Sequence, residues 1–173
     1  KVSTVNLARL ALDTNSEEEY LEELKDRVYI NLIALDRVRH IIKRNVEKKL
    51  LPNFTYNLVD FEHLYNTIGF IGIYETMKKF GYVYVDEFGD TYYTEQASAF
   101  GNKIFKTMRE TADLFIKENN CDYQINTEQI PGESAAAKLM KKDKFFYPNA
   151  NIYDLPLYGN QFIPLGIKTT IQE

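Results

Sequence analysis

The stretch Glu128-Gln-Ile-Pro-Gly-Glu-Ser-Ala-Ala-Ala137 joins a strand signal directly to a helix signal and is the most informative part of the sequence. Residues 122–127, just before it, alternate polar and apolar side chains, which predicts a strand. Pro131 breaks this strand, and the run 132–141 has strong helix propensity. Strand and helix signals are mixed along the rest of the chain as well.

The start of this helix, at Gly132, allows two interpretations. The first turn of a helix has free N–H groups and the positive end of the helix dipole, so it could hold a phosphate. Gly132 would let a ligand approach the backbone, Ser134 offers a hydroxyl group, and Ala135 is small enough for close packing. Glu133 argues against a bound anion unless its side chain turns away. Spacing alone favours the second interpretation, a capped helix with a structural role.

Further strands and helices precede this join. The sequence predicts a strand at 2–7, a strand or tight turn at 67–73, and helices at 17–51, 74–80 and 95–119. The longest helix follows Ser16, which has capping-box spacing with Glu19, and it stops before Pro52. It would span about 50 Å, a length that suits the wall of a larger body. No repeat or linker interrupts the chain, so we expect a single segment over 1–173 with no internal domain boundary.

Composition and charge exclude several classes of protein. The net charge is −4 and no strongly basic stretch occurs, so we expect no nucleic-acid partner. The single cysteine, Cys121, permits no intrachain disulfide and no cysteine-based zinc site, and we expect it in a half-exposed loop. His63 has no second histidine or cysteine to support a metal site, so we predict none. No apolar run could span a membrane, and a reducing, cytoplasmic setting is expected.

A few other residues could carry chemistry. Asn6 lies between apolar neighbours in the first strand, where it would be a buried hydrogen-bonding residue or a ligand contact, and the pattern favours the structural role. Gly69 and Gly72 match no phosphate loop, and we expect them to allow close helix–strand packing. Glu75 could be an acid or base, but an ordinary first-turn glutamate is the simpler interpretation. The apolar segment 155–165 should be tucked inside a larger protein or placed at a binding cleft.

Four segments follow one another along nearly the whole chain: Val5-Asn-Leu-Ala-Arg9, Asn66-Thr-Ile-Gly-Phe-Ile-Gly-Ile-Tyr-Glu75, Glu128-Gln-Ile-Pro-Gly-Glu-Ser134 and Leu157-Tyr-Gly-Asn-Gln161. In this order they resemble the anaerobic (class III) ribonucleoside-triphosphate reductases. Each segment is weak alone, but the four together make the resemblance specific. The family usually has proline where this chain has Ala8 and alanine where it has Gly132. The second change gives the backbone more freedom beside the predicted phosphate.

The resemblance implies both a fold and a chemistry. The fold would be part of a ten-stranded α/β barrel of the ribonucleotide reductase and glycyl radical enzyme type, with two five-stranded halves and long outer helices. A thiyl radical, generated from a glycyl radical, would remove the 3′ hydrogen of the substrate. The 2′ hydroxyl would leave as water, and formate or a thiol system would supply the electrons. The helix start at Gly132, Glu133, Ser134 and Ala135 would hold the substrate's phosphates, and Asn6 would lie near the ribose.

The resemblance also implies a set of partners and cofactors. The substrate would be a ribonucleoside triphosphate. The rest of the reductase chain would complete the enzyme, and the full enzyme would be a homodimer. An activating enzyme with an iron–sulfur cluster and S-adenosylmethionine would make the glycyl radical, and the full enzyme would carry a structural zinc. This segment itself would bind no cofactor.

The radical groups of the family have no counterpart in this sequence. The thiyl cysteine would precede Lys1, and the glycyl-radical motif and the cysteine pairs of the zinc site would follow Glu173. Cys121 is in the wrong place to be the thiyl residue, so we expect this segment alone to be inactive. Two alternatives stay open: a non-catalytic nucleotide-binding or assembly module on the same fold, and a cobalamin-dependent (class II) reductase on the same barrel.

Overall fold

Five strands and six helices make up the part of the chain that the computed structural model describes, residues 1–161 and 163–169. The strands are β1 (Val2–Asn6), β2 (Asn66–Ile71), β3 (Val83–Val85), β4 (Thr91–Tyr93) and β5 (Ile125–Gln129). The helices are α1 (Leu7–Asp13), α2 (Glu17–Glu47), α3 (Pro52–Thr55), α4 (Ile73–Lys79), α5 (Glu95–Asn119) and α6 (Glu133–Phe146). Phe162, in the predicted apolar segment 155–165, lies outside the described residues.

The central feature of the fold is a parallel sheet of β1, β2 and β5, with β2 in the middle. Asn6 lies opposite Ile71, and Phe70 lies opposite Gln129, so the three carboxyl ends share one edge of the sheet. A helix follows each strand after at most three intervening residues: α1 follows β1, α4 follows β2 and α6 follows β5. The predicted α/β class is therefore confirmed, whereas the ten-stranded barrel stays a prediction.

One face of the sheet packs against helices. Val5, Ile68 and Phe70 join the apolar side chains of α2 and α5 in the main core. Side chains alternate along a strand, so Asn6 and Ile71 lie on the other face. Ile71 belongs to a second, smaller core, whose buried members are Ala8, Ile71, Ala136, Met140, Ile152 and Tyr158. Helix α6 thus packs against the strand ends through this second core.

Helix α2 has the start that the sequence predicts and ends earlier. The Ser16 hydroxyl oxygen accepts a hydrogen bond from the Glu19 N–H at 3.1 Å, which confirms the predicted cap. One apolar side chain is buried in each turn or so: Tyr20, Leu24, Val28, Leu32 and Leu35. The helix ends at Glu47, short of the predicted 51, because Lys49 takes a left-handed backbone conformation with φ 57°.

Other parts of the fold also differ from the sequence prediction, among them β5, which spans Ile125–Gln129 rather than 122–127. The strand predicted at 2–7 ends at Asn6, and the next residue begins helix α1, which the sequence reasoning does not predict. Seven residues give too few turns for a clear apolar period, so the helix signal is weak. β3 and β4 form an antiparallel hairpin around the predicted turn at 87–90. Strands of three residues are likewise too short to show alternation.

Gly69 and Gly72 allow close packing, as the sequence predicts. A Cβ atom on Gly69 would lie 2.8 Å from Ile130 Cγ2, and one on Gly72 would lie 2.7 Å from Ala8 Cβ. Gly72 also has φ +85°, in the left-handed region that disfavours side chains. The turn from β2 to α4 therefore requires glycine for two separate reasons.

Gly72→Ala should lower the free energy of unfolding by about 2–5 kcal/mol, the sum of left-handed backbone strain and a clash with Ala8. Gly89→Ala is the matched control, because Gly89 has φ +86° but nothing within 4 Å of an added Cβ. The control should lose only about 1–2 kcal/mol from the backbone strain. Urea unfolding of both variants measures the difference, and equal losses would contradict the close approach of Ala8.

Candidate functional site

The predicted site residues come together at the carboxyl edge of the parallel sheet. Asn6 ends β1, Gly72 follows β2, and Gly132 precedes α6 after β5. Neighbouring strands lie about 4.8 Å apart, so the outer strands β1 and β5 end about 10 Å from each other. In open parallel α/β sheets, the carboxyl ends of the strands are where ligands bind.

The start of α6 is open at the surface. Gly132 has no side chain to cap the first turn, and the Ala136 N–H donates to the Gly132 carbonyl oxygen at 2.8 Å. The three residues before Ala136 in the helix, Glu133, Ser134 and Ala135, are exposed. Helix α6 is therefore not the capped helix that spacing alone favours. The N–H groups of its first turn remain for another acceptor.

Asn6 has a structural role at the end of β1. Its Oδ1 accepts a hydrogen bond from the Arg9 N–H at 3.1 Å and so caps α1. Its Nδ2 donates to Asp143 Oδ2 at 2.9 Å. An asparagine amide has two hydrogens and two lone pairs on the oxygen, so one of each is left for a further partner. A contact between Asn6 and a substrate stays a prediction.

Asp143 is a site residue that the sequence reasoning misses. It lies near the end of α6 and is only 3 % exposed. Its carboxylate accepts hydrogen bonds from Asn6, from the Tyr158 hydroxyl at 2.8 Å and from Arg9 Nη1 at 3.2 Å. The available signal is its position seven residues after Ala136, which places an acidic side chain on the buried face of α6.

The tail segment 158–160 ties this carboxylate to the other strand ends. Burial raises the pKa of Tyr158, and its bond to Asp143 raises it further, so the Tyr158 hydroxyl stays protonated and donates. The carbonyl oxygen of Gly159 accepts from the Gly72 N–H at 2.7 Å, and the Gly159 N–H donates to Glu75 Oε1 at 3.1 Å. The segment therefore bonds at the end of β2 through its backbone and near the end of β1 through Tyr158.

The same segment also reaches the end of β5. Asn160 Nδ2 donates to the carbonyl oxygen of Ile130 at 3.2 Å. Beside this contact lies a cavity of about 460 Å³, whose walls include Tyr74, Glu75, Asp154, Leu157, Gly159 and Asn160. The described part of 155–165 thus borders a cleft, which was one of the two placements that its apolar character predicts.

Glu75 is a buried acid in the wall of this cavity. It is 1 % exposed, and its Oε2 has no hydrogen-bond partner within the described structure. Burial raises the pKa of Glu75 from its usual 4.5 to about 7, although the bond from the Gly159 N–H opposes this shift. Glu75 does lie in the first turn of α4, as the simpler interpretation has it, but it is buried rather than solvated.

The remaining candidates lie away from this edge. Cys121 is half-buried in the loop after α5, before the amino end of β5, so it lies at the opposite edge of the sheet. His63 is exposed and bonds to Asp60. Residues 1–161 and 163–169 contain no cluster of three or more His, Cys, Asp or Glu that could hold a metal ion. Over the same residues, no helix has the length and apolar character needed to cross a membrane.

The fold and this edge define a parallel α/β protein in which an uncapped helix start and a strand-end asparagine lie on one open edge. A family model described as anaerobic ribonucleoside-triphosphate reductase matches residues 1–171. The chain therefore belongs to the anaerobic ribonucleoside-triphosphate reductase family, which confirms the family that the four sequence segments resemble.

Solved structures agree with this assignment. The chain is similar to the anaerobic ribonucleotide reductase from Thermotoga maritima with citrate in the active site, with 36% identity and a TM-score of 0.86 over 95% of this chain and 30% of that one. It is equally similar to that reductase in complex with dATP and CTP, with 36% identity and a TM-score of 0.86 over 95% of this chain and 27% of that one. The chain thus spans less than a third of the length of these structures. No curated protein matches it.

The pKa of Glu75 predicts how stability depends on pH. Between pH 4.5 and about 7 the folded protein holds a proton on Glu75 that the unfolded chain has lost, so stability falls as pH rises through this window. The contribution lost between pH 5 and pH 8 should be about 2–3 kcal/mol.

Glu75→Gln should remove this contribution, because glutamine keeps the acceptor for the Gly159 N–H and does not ionise. Urea unfolding of both proteins at pH 5 and at pH 8 measures it. We expect the variant to gain stability relative to the unsubstituted protein as pH rises. A stability difference that is the same at both values would show that Glu75 does not titrate in this window.

Proposed function

We propose that this chain forms part of the substrate-binding body of an anaerobic ribonucleoside-triphosphate reductase and holds the substrate's phosphates at the start of α6. The observation that carries the proposal is the start of α6 at the carboxyl edge of the sheet, where Gly132 provides no side-chain cap and residues 133–135 are exposed. The family assignment supports it, as does the similarity to a Thermotoga maritima reductase solved with dATP and CTP.

The first turn of α6 has the groups that a phosphate needs. The backbone N–H groups of Glu133, Ser134 and Ala135 are not used by the first helical hydrogen bond, and the helix dipole favours an anion there. Gly132 brings no side chain between the ligand and the backbone, and the Ser134 hydroxyl adds a donor. Glu133 is exposed, so its carboxylate can turn into solvent.

The ribose would lie toward Asn6. Asn6 and the end of β5 are about 10 Å apart across β2, so a nucleotide along the carboxyl edge could reach both. Asn6 would bond to a ribose hydroxyl with the amide hydrogen and the lone pair that its contacts leave free. The radical groups implied by the family would remove hydrogen from the ribose. The described residues hold no cluster that fits the structural zinc.

The wider properties of the enzyme are proposals for the complete protein. They are the ten-stranded barrel, the reduction of ribonucleotides through glycyl and thiyl radicals, the activating enzyme, the homodimer and the cytoplasmic location. Because the chain spans less than a third of the Thermotoga maritima structures, the remaining parts of these assemblies would come from elsewhere. The inactivity of this segment alone is likewise a proposal.

Nucleotide binding to the complete protein tests the phosphate site. Ser134→Ala should weaken the binding of a ribonucleoside triphosphate about fivefold through the loss of one hydrogen bond. Ser134→Glu should weaken it about tenfold or more, because a second carboxylate at the helix start repels the phosphates. Isothermal titration calorimetry measures both affinities.

Ser98→Glu is the matched control, because Ser98 is exposed in the early part of α5, whose first turn is capped by Thr94. It should leave the affinity unchanged. Unchanged affinity in the Ser134 variants as well would refute the phosphate site. Normal nucleotide binding without deoxyribonucleotide formation, after anaerobic activation, would instead favour the non-catalytic nucleotide-binding module.

A further inference from the structure

The least expected side chain at the carboxyl edge is the carboxylate of Asp143. A carboxylate with 3 % exposure is costly to bury unless hydrogen bonds compensate it, and an apolar residue would fill the same place at lower cost. Its neighbours on the buried face of α6 are Ala136 and Met140, both apolar. Asp143 therefore needs an explanation beyond the packing of α6.

Its hydrogen bonds suggest that explanation. Oδ2 accepts from Asn6 Nδ2 at 2.9 Å and from the Tyr158 hydroxyl at 2.8 Å, while Oδ1 accepts from Arg9 Nη1 at 3.2 Å. Two of these donors belong to Asn6 and to the helix that Asn6 caps. The carboxylate is thus built into the end of β1, although it comes from a helix that follows β5.

We propose that Asp143 is a positioning residue that fixes the orientation of the Asn6 amide toward the substrate; this inference rests on the proposed function. An asparagine amide can turn over about its last side-chain bond, which exchanges its oxygen and nitrogen. Here the turned amide would direct its oxygen at the Asp143 carboxylate and its NH₂ group at the Arg9 N–H. Both contacts would be repulsive, so the two partners together select one orientation.

The same helix connects the two ends of the proposed substrate site. Gly132, at the phosphate end, and Asp143, beside Asn6, are separated by about 16 Å along α6. A helix is a rigid spacer, so the contact to the ribose and the contact to the phosphates are held at a fixed separation. Small errors in the placement of reacting groups lower the rate of a reaction by large factors, which gives Asp143 an effect on kcat without contact to the substrate.

The test is the steady-state and radical analysis of the complete, anaerobically activated enzyme with Asp143→Asn. We expect kcat to fall about 10- to 100-fold, as for other residues that orient an active-site side chain. The KM for the ribonucleoside triphosphate should stay within about twofold, because the phosphate contacts lie on the other end of α6. The glycyl-radical yield, measured by electron paramagnetic resonance, should be unchanged.

Asp13→Asn is the matched control, because Asp13 also binds Arg9 but makes no hydrogen bond to Asn6. It should leave kcat within about twofold of the unsubstituted enzyme, since the amide of Asn6 keeps both partners. Tyr158→Phe is a second, milder variant that serves if Asp143→Asn does not fold. It removes one of the two hydrogen-bond donors to Asp143 Oδ2, the oxygen that also accepts from Asn6. It should lower kcat about fivefold at unchanged KM.

Three results would overturn the inference. The first is a kcat for Asp143→Asn within twofold of the unsubstituted enzyme. The second is a fall in kcat that is fully explained by a lower glycyl-radical yield, and the third is a loss of kcat in Asp13→Asn as large as that in Asp143→Asn. If Asp143→Asn does not fold, unchanged kcat in Tyr158→Phe overturns it. Failure of the proposed function is distinct, because it shows as unchanged nucleotide affinity in the Ser134 variants or as an unsubstituted enzyme that forms no deoxyribonucleotide. Either result removes the basis of this inference as well.

Discussion

Three parallel strands end side by side in this structure, and the backbone groups at their ends need hydrogen-bond partners. Where a strand gives way to a helix, some N–H and C=O groups have no partner in either element, and leaving them buried and unpaired is costly. The tail segment 158–160 supplies partners for two of these ends, at Gly72 and at Ile130. The tail segment 158–160, which is distant in sequence, therefore stabilises the carboxyl edge of the sheet, where the candidate site lies.

Two buried acids near this edge show how different surroundings lead to different behaviour. Asp143 receives hydrogen bonds from three side chains, so its burial is compensated. Glu75 receives one from the Gly159 N–H, and its second oxygen has no partner in the described structure. Burial accordingly raises the pKa of Glu75 to about 7. Asp143 is thus held by side-chain hydrogen bonds, whereas the acid with the raised pKa, Glu75, contacts the backbone of the tail segment 158–160.

Local sequence signals predict the long elements and miss contacts that depend on tertiary structure. The Ser16 cap and the glycine turn at Gly72 follow from residue type and spacing, and both are confirmed. The short helix α1 and the hairpin of β3 and β4 are missed because a few residues show no clear period. Asp143 is missed as a site residue because two of its three partners, Asn6 and Arg9, lie 137 and 134 positions away. The burial of Glu75 is missed because its partner Gly159 lies 84 positions away. No local pattern encodes such separations.

The way in which the chain caps its helices supports the proposal that the start of α6 binds a phosphate. Side chains of Asn6, Ser16 and Thr94 cap α1, α2 and α5, and such a cap contributes about 1 kcal/mol to stability. Helices α4 and α6 both begin on a glycine, but the start of α4 is buried and its Gly72 N–H bonds to Gly159. The start of α6 has neither a side-chain cap nor burial. A fold that caps its other long helices leaves this one open at the edge where Asn6 also lies, and a bound phosphate would replace the missing cap.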